Sequence, residues 1–143
     1  MPIPQAISFT VTGKPHAKAR PWATSVNGRA HVYTPPGTRT YEAGVRAAAV
    51  AALGDHKAFD GAVHVSITMR LQPPQSTSNS QKLRMLTGAI KPTKRPDLDN
   101  VVKAIIDGCN GIVFRDDSDI VSIIATKIYA EAPGVDVRVI SID

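Results

Sequence analysis

Two carboxylates one residue apart, Asp97 and Asp99, stand in the run Lys94-Arg95-Pro96-Asp97-Leu98-Asp99-Asn100-Val101-Val102-Lys103, and a second acidic pair, Asp116-Asp117, follows beyond it. Magnesium is a hard ion that prefers oxygen ligands, takes few carboxylates, keeps several waters and leaves coordination positions for a substrate phosphate. Asp97, Asp99 and Asp117, with Asp116 beside the last, have the donor chemistry for such a site. At a phosphodiester, one or two ions of this kind generate the attacking hydroxide and stabilise the leaving oxygen, while a cation neutralises charge on pentacovalent phosphorus. Lys103, four residues past Asp99, is spaced for that last role. The same spacing also fits an ordinary helix-stabilising pair worth about 0.3–0.5 kcal/mol.

Each carboxylate has a plainer reading when taken alone. Asp97 reads as a helix cap, Asp116 to Asp119 as a polar turn, and Asp107 as a solvated helix charge. Competing metal sites fit worse. Counted as an EF-hand from Asp97, Val102 takes the sixth position, where glycine is required, and Gly108 the twelfth, where glutamate is. Zinc is disfavoured by a single cysteine and by His16, His31, His56 and His64 scattered without ligand spacing. No glycine-rich phosphate loop or Ser-His-Asp triad can be assigned.

The elements that must position these groups follow from hydrophobic period. Leu98, Val101, Val102, Ile105, Ile106 and Cys109 have the spacing of a helix with one buried face, and Asp99, Asn100, Lys103 and Asp107 fall on the other. Pro96 and Asp97 mark its start, with Gly108 and Asn110-Gly111 as the stop. Alternation over residues 6–12 and 63–71 predicts two half-buried strands. Thr38 or Thr40 is expected to cap a scaffold helix running to Leu53, with Tyr41, Val45, Ala48, Ala49 and Ala52 on one stripe. Asn27-Gly28 predicts a tight turn before a short extended piece at His31 to Tyr33. Two strands close the chain, from Ile120 to about Ala130 and from Val135 to Ile142, with Pro133-Gly134 expected to turn a hairpin between them. The fold class that results is α/β (α+β): a mixed β-sheet packed by helices, in one domain over 1–143.

Two stretches are basic and irregular. Lys14 to Trp22 is a proline-broken loop carrying Lys14, Lys18 and Arg20, suited to phosphate contacts; Trp22 is open between base stacking and core packing. The stretch from Gln72 to Pro96, with at most a helical turn or two around Ser80 to Leu86, carries Lys82, Arg84, Lys91, Lys94 and Arg95 straight to the acidic motif.

The whole chain has 143 residues, 17 Lys and Arg against 12 Asp and Glu, and a net charge of +5. That balance favours a polyanionic partner, and 43% apolar content is enough for one continuous core. Cys109 alone excludes an intrachain disulfide and reads as a buried, inert thiol. Met1 to Gln5 carries no targeting pattern and no segment has the length of a membrane span, so a soluble, cytoplasmic protein is expected.

Pro96-Asp97-Leu98-Asp99-Asn100-Val101-Val102-Lys103-Ala104, then Asp107, then Asp116-Asp117, resembles the RusA-like Holliday-junction resolvases of bacteria and their phages. Gly13-Lys14-Pro15 to Lys18-Ala19-Arg20-Pro21 and Tyr33-Thr34-Pro35 resemble the prophage branch of that family. The resemblance implies metal ligands at Asp97, Asp99 and Asp117 and a catalytic or phosphate-stabilising cation at Lys103. It also implies magnesium or manganese as cofactor, and a homodimer making symmetric cuts in four-way DNA junctions, whose two-fold symmetry matches two equivalent strands. The Gln72 to Arg95 loop is longer than the resemblance leads one to expect. Two other readings remain beside it: a non-catalytic basic DNA-binding protein whose acidic motif only caps a helix, and a metal phosphohydrolase acting on a small substrate.

Overall fold

The computed structural model describes residues 4–143. Met1 to Ile3, part of the stretch read for a targeting signal, and the side chain of Trp22 lie outside what is described. The elements are β1 (Ala6–Thr12), β2 (Trp22–Val26), β3 (Arg29–Tyr33), α1 (Pro36–Leu53), β4 (Val63–Leu71), α2 (Asn79–Leu86), α3 (Leu98–Cys109), a 3-10 turn (Asp117–Asp119), β5 (Ile120–Tyr129) and β6 (Gly134–Ser141). The class is α+β, as expected.

β4 is the centre of the main sheet because its alternation is the cleanest. Val63, Val65, Ile67 and Met69 are buried, while His64, Ser66, Thr68 and Arg70 turn to the other face and are half-buried. The strand order is β1-β6-β4-β5, with β4 parallel to β5 and antiparallel to β6. This corrects the expected hairpin: β5 and β6 follow each other in sequence, but β6 lies between β1 and β4, and Pro133-Gly134 carries the chain across β4 to reach it. Turn chemistry marks where a strand ends without saying which strand it pairs with. A parallel β4–β5 pair needs a long crossover, and α3 with the segment before it supplies one.

α1 and α3 pack on each other and on the sheet, with Val45, Ala49, Val101, Ile105 and Cys109 joining the core cluster of β4 and β6. α1 starts at Pro36 rather than at a threonine cap. Proline suits the first turn because its missing N–H would have had no helical partner. Thr38 is fully buried, and its hydroxyl accepts from the Ala19 N–H (3.2 Å) and meets the His16 ring nitrogen (3.1 Å). Thr40 Oγ1 donates to the Pro36 carbonyl at 3.0 Å. Gly108, expected to help stop α3, lies inside the helix and is buried: a Cβ there would stand 2.6 Å from Val45 Cγ1 and 3.2 Å from the Glu42 carbonyl. Its absence of a side chain is what brings α1 and α3 together.

The expected Asn27-Gly28 turn has positive φ at both residues (51° and 75°), the conformation of a two-residue I′ hairpin turn. It joins two paired strands, so the loop reading that extended to Trp22 gives way to β2 from that residue on. β2 and β3 form a separate two-stranded sheet.

Candidate active site

Asp97 occupies the N-cap position of α3 with extended backbone (φ −71°, ψ 134°), yet its side chain accepts no capping hydrogen bond. Its main-chain carbonyl starts the helix instead, accepting from Val101 N–H at 3.1 Å. The carboxylate is therefore exposed and not consumed by the helix. Asn100 joins the two carboxylates: its backbone N–H donates to Asp99 Oδ1 at 2.9 Å, and its side-chain amide reaches Asp97 Oδ2 at 3.5 Å. The hydrophobic period places this asparagine on the polar helix face without assigning it a role, and its position directly after Asp99 is the signal the sequence offers. Among the described residues no ion pair engages Asp97, Asp99 or Asp117.

The basic loop closes one side. Lys18 N–H donates to the Asn100 carbonyl at 3.0 Å, and the Lys18 ammonium bridges Glu42 Oε1 on α1 (2.8 Å) and Asp107 Oδ2 on α3 (2.7 Å). Partial burial alone would lower the Lys18 pKa, but its bonds to Asp107 and Glu42 outweigh that and raise it. Lys18 is thus half-buried and spent on two carboxylates, and Asp107 is paired rather than simply solvated. A cleft of about 440 Å³ opens between Lys14, His16, Arg95, Asp97 and Asn100. A neighbouring cleft of about 390 Å³ is lined by Lys14, Lys94, Arg95 and Tyr129 among several prolines. Lys94 is tied down through its carbonyl, which accepts from Lys127 Nζ on β5. Lys103 and Arg20 are exposed.

Asp116 and Asp117 separate in role. Asp116 caps the 3-10 turn by accepting from Ser118 N–H at 3.1 Å, and hydrogen bonds from Ser118 hold its carboxyl below the usual range. Asp117 begins the turn.

The crossover sets where these groups lie along the sheet. Pro96 and Arg95 share a cleft with Leu71 and Tyr129, the last residues of β4 and β5, so Asp97 and Asp99 stand at the carboxyl ends of these strands. Asp117 precedes Ile120, at the amino end of β5. A strand of ten residues spans roughly 30 Å, and α3, which returns the chain between the two ends, about 18 Å. The chain thus brings Asp97, Asp99, Asn100, Arg95 and Lys14 together and leaves Asp116 and Asp117 at the opposite end. Consistently, no group of three or more His, Cys, Asp or Glu side chains that could hold a metal ion occurs among the described residues. The donor chemistry, exposed carboxylates beside a basic cleft, suits a hard divalent cation, and Asp117 is not among the groups gathered there.

No described helix is long and apolar enough to cross a membrane. A family model described as endodeoxyribonuclease RusA matches residues 12–140. A protein of Bacillus subtilis (strain 168), described as uncharacterized protein YqaN, is 33% identical over 138 residues, covering 93% of this chain and 94% of its own. The match spans the basic loop, the Asp97 to Lys103 motif and the Asp116-Asp117 turn alike, and the chain belongs to the RusA family of endodeoxyribonucleases, nucleases of branched DNA.

Proposed function

We propose that the protein is a magnesium- or manganese-dependent endonuclease that resolves four-way DNA junctions by paired symmetric cuts, and that it does so as a homodimer whose sites are each built from both subunits. The observation that carries the second part is edge strand β5. It exposes Val121, Ile123, Ile124 and Ile128 at 62, 45, 59 and 38%. An unpaired edge with apolar side chains on both faces is an association surface. Antiparallel pairing of two β5 edges about a two-fold axis would set the amino end of one beside the carboxyl end of the other. Asp117 of the partner subunit would then approach Asp97 and Asp99, completing a three-carboxylate set in each half.

In such a site Asn100 orients both carboxylates, Lys103 neutralises charge building on the scissile phosphate, and Lys14, Arg20, Lys94 and Arg95 hold the flanking phosphates. Lys18 keeps the loop and α3 in register. A divalent ion, when bound, supplies acidification of the attacking water and a counter-charge for the leaving oxygen. Residues 1–143 act as one nuclease domain, and a substrate of this kind implies the cytoplasm.

The test is cleavage of labelled four-way, branched and linear DNA with and without magnesium, using Asp97→Asn and Asp117→Asn proteins separately and mixed. Each variant alone should bind junctions and cut nothing. Mixed and allowed to exchange subunits, they should regain single nicks, because one of the two shared sites then has all its carboxylates. A mixture as dead as its components means that each site belongs to one chain. Junction binding indifferent to EDTA, with no cleavage by the unmodified protein, would favour a non-catalytic DNA-binding protein, and turnover confined to nucleotides a small-molecule phosphohydrolase.

A further inference from the structure

We propose that the β2–β3 hairpin is a DNA ribbon that enters the major groove of a junction arm about five base pairs from the cleaved phosphate. The inference rests on the nuclease reading above and extends it to a part of the chain away from the carboxylates.

Three observations carry it. The hairpin stands apart from the body: it forms its own two-stranded sheet, its main contacts are between its own strands, and every described residue from Ala23 to Tyr33 is exposed. Its root, by contrast, is fixed beside the active site. Thr38, fully buried, takes the Ala19 N–H and meets the His16 ring on one side of the hairpin, and Lys18 N–H is bonded to the Asn100 carbonyl. A root hydrogen-bonded into the body with an exposed blade is the geometry of an arm aimed by the site. The third observation is charge. The first carboxylate in the sequence is Glu42, and five cations (Lys14, Lys18, Arg20, Arg29 and Arg39) precede it; the other twelve are matched by the twelve acidic residues. With Lys18 spent on Glu42 and Asp107, four further cations, Lys14, Arg20, Arg29 and Arg39, stand in this carboxylate-free segment, Arg29 within the hairpin itself.

The register sharpens this. Val26 faces Arg29 and Thr24 faces His31, so Arg29 and His31 lie on one face of the ribbon. A two-stranded ribbon fits the roughly 12 Å width of the major groove. Five-residue strands reach about 17 Å, which at about 3.4 Å per base pair is some five pairs along an arm. A second copy of the chain is a poorer occupant, because symmetry would bring two carboxylate-free hairpins face to face.

The test uses full-length Asp97→Asn protein, so that binding is read without cutting, with Arg29→Ala or with residues 22–33 replaced by a Gly-Gly link. Binding to four-way junctions with fifteen-base-pair arms, roughly three times the hairpin's reach, is measured against salt. Arg29→Ala should lower affinity and reduce the slope of log K against log salt by about one. The hairpin replacement should weaken binding further and abolish protection of guanine N7 from methylation about five pairs from the crossover. Unchanged affinity, slope and methylation pattern on long arms, with the parent protein still binding, overturns the hairpin assignment and leaves the nuclease reading standing. Conversion of the hairpin replacement to a monomer in sedimentation overturns it in favour of a second copy, and failure of the parent to bind any branched DNA overturns both.

Discussion

At the scale of single residues, type and neighbourhood part company most clearly at Lys18. Its place in a basic loop suggested a phosphate contact, but its ammonium lies between Glu42 and Asp107. Nothing in the sequence distinguishes it from Lys14, which stays exposed at the cleft; only the approach of α1 and α3 does. Lys18→Met should therefore lower stability by about 1.5–3 kcal/mol in urea unfolding, the range for hydrogen bonds to charged groups. The pH dependence follows from the direction of its shift. A lysine whose folded pKa is raised stabilises fully below its unfolded value of about 10.4, and that stabilisation fades as pH rises through the folded value. The penalty of Lys18→Met should thus be constant near neutrality and shrink in strong alkali. Cys109, by contrast, is as inert as its apolar position suggested: burial pushes its thiol up to about 12.

Among the elements, α3 was the most legible, because Leu98 to Cys109 combine a strong 3.6-residue period with polar groups on one side. Its bounds and its buried face agree with the expectation. Its glycine does not: the sequence marks Gly108 as a stop signal, and the fold uses it as a packing device. Helix stops are read from local backbone preference, whereas Gly108 answers to Val45 on another helix. Gly108→Ala should force α1 and α3 apart and cost about 1–3 kcal/mol, seen as a lower urea midpoint with an unchanged slope. The hairpin expected between β5 and β6 failed for a related reason. Pro133-Gly134 is local, but the pairing of β6 with β4 is decided across 64 or more residues by which apolar faces can be covered together.

For the whole molecule, the decisive feature is an edge. β5 leaves four large apolar side chains in contact with water in an isolated chain, on a strand that separates Asp97 from Asp117. Ile124→Lys places a charge on that edge at a position 59% exposed, so the fold should survive with unchanged circular dichroism. Sedimentation should report a monomer, and junction cleavage should fall with it, while a cleaving monomer would count against shared sites.

The residue types of the candidate site, the basic loop beside it, the helix that carries Asp97, Asp99 and Lys103, and the α+β class are all legible in the sequence, because each depends on local chemistry or short-range period. Strand order, the pairing of Lys18, the reason for Gly108 and the distance between the two acidic groups were decided only in three dimensions. Sequence shows that Asp99 and Asp117 are separated by one helix and one turn. The parallel β4–β5 pair requires that helix to run back along the sheet, and so it sets them at opposite ends of the strand.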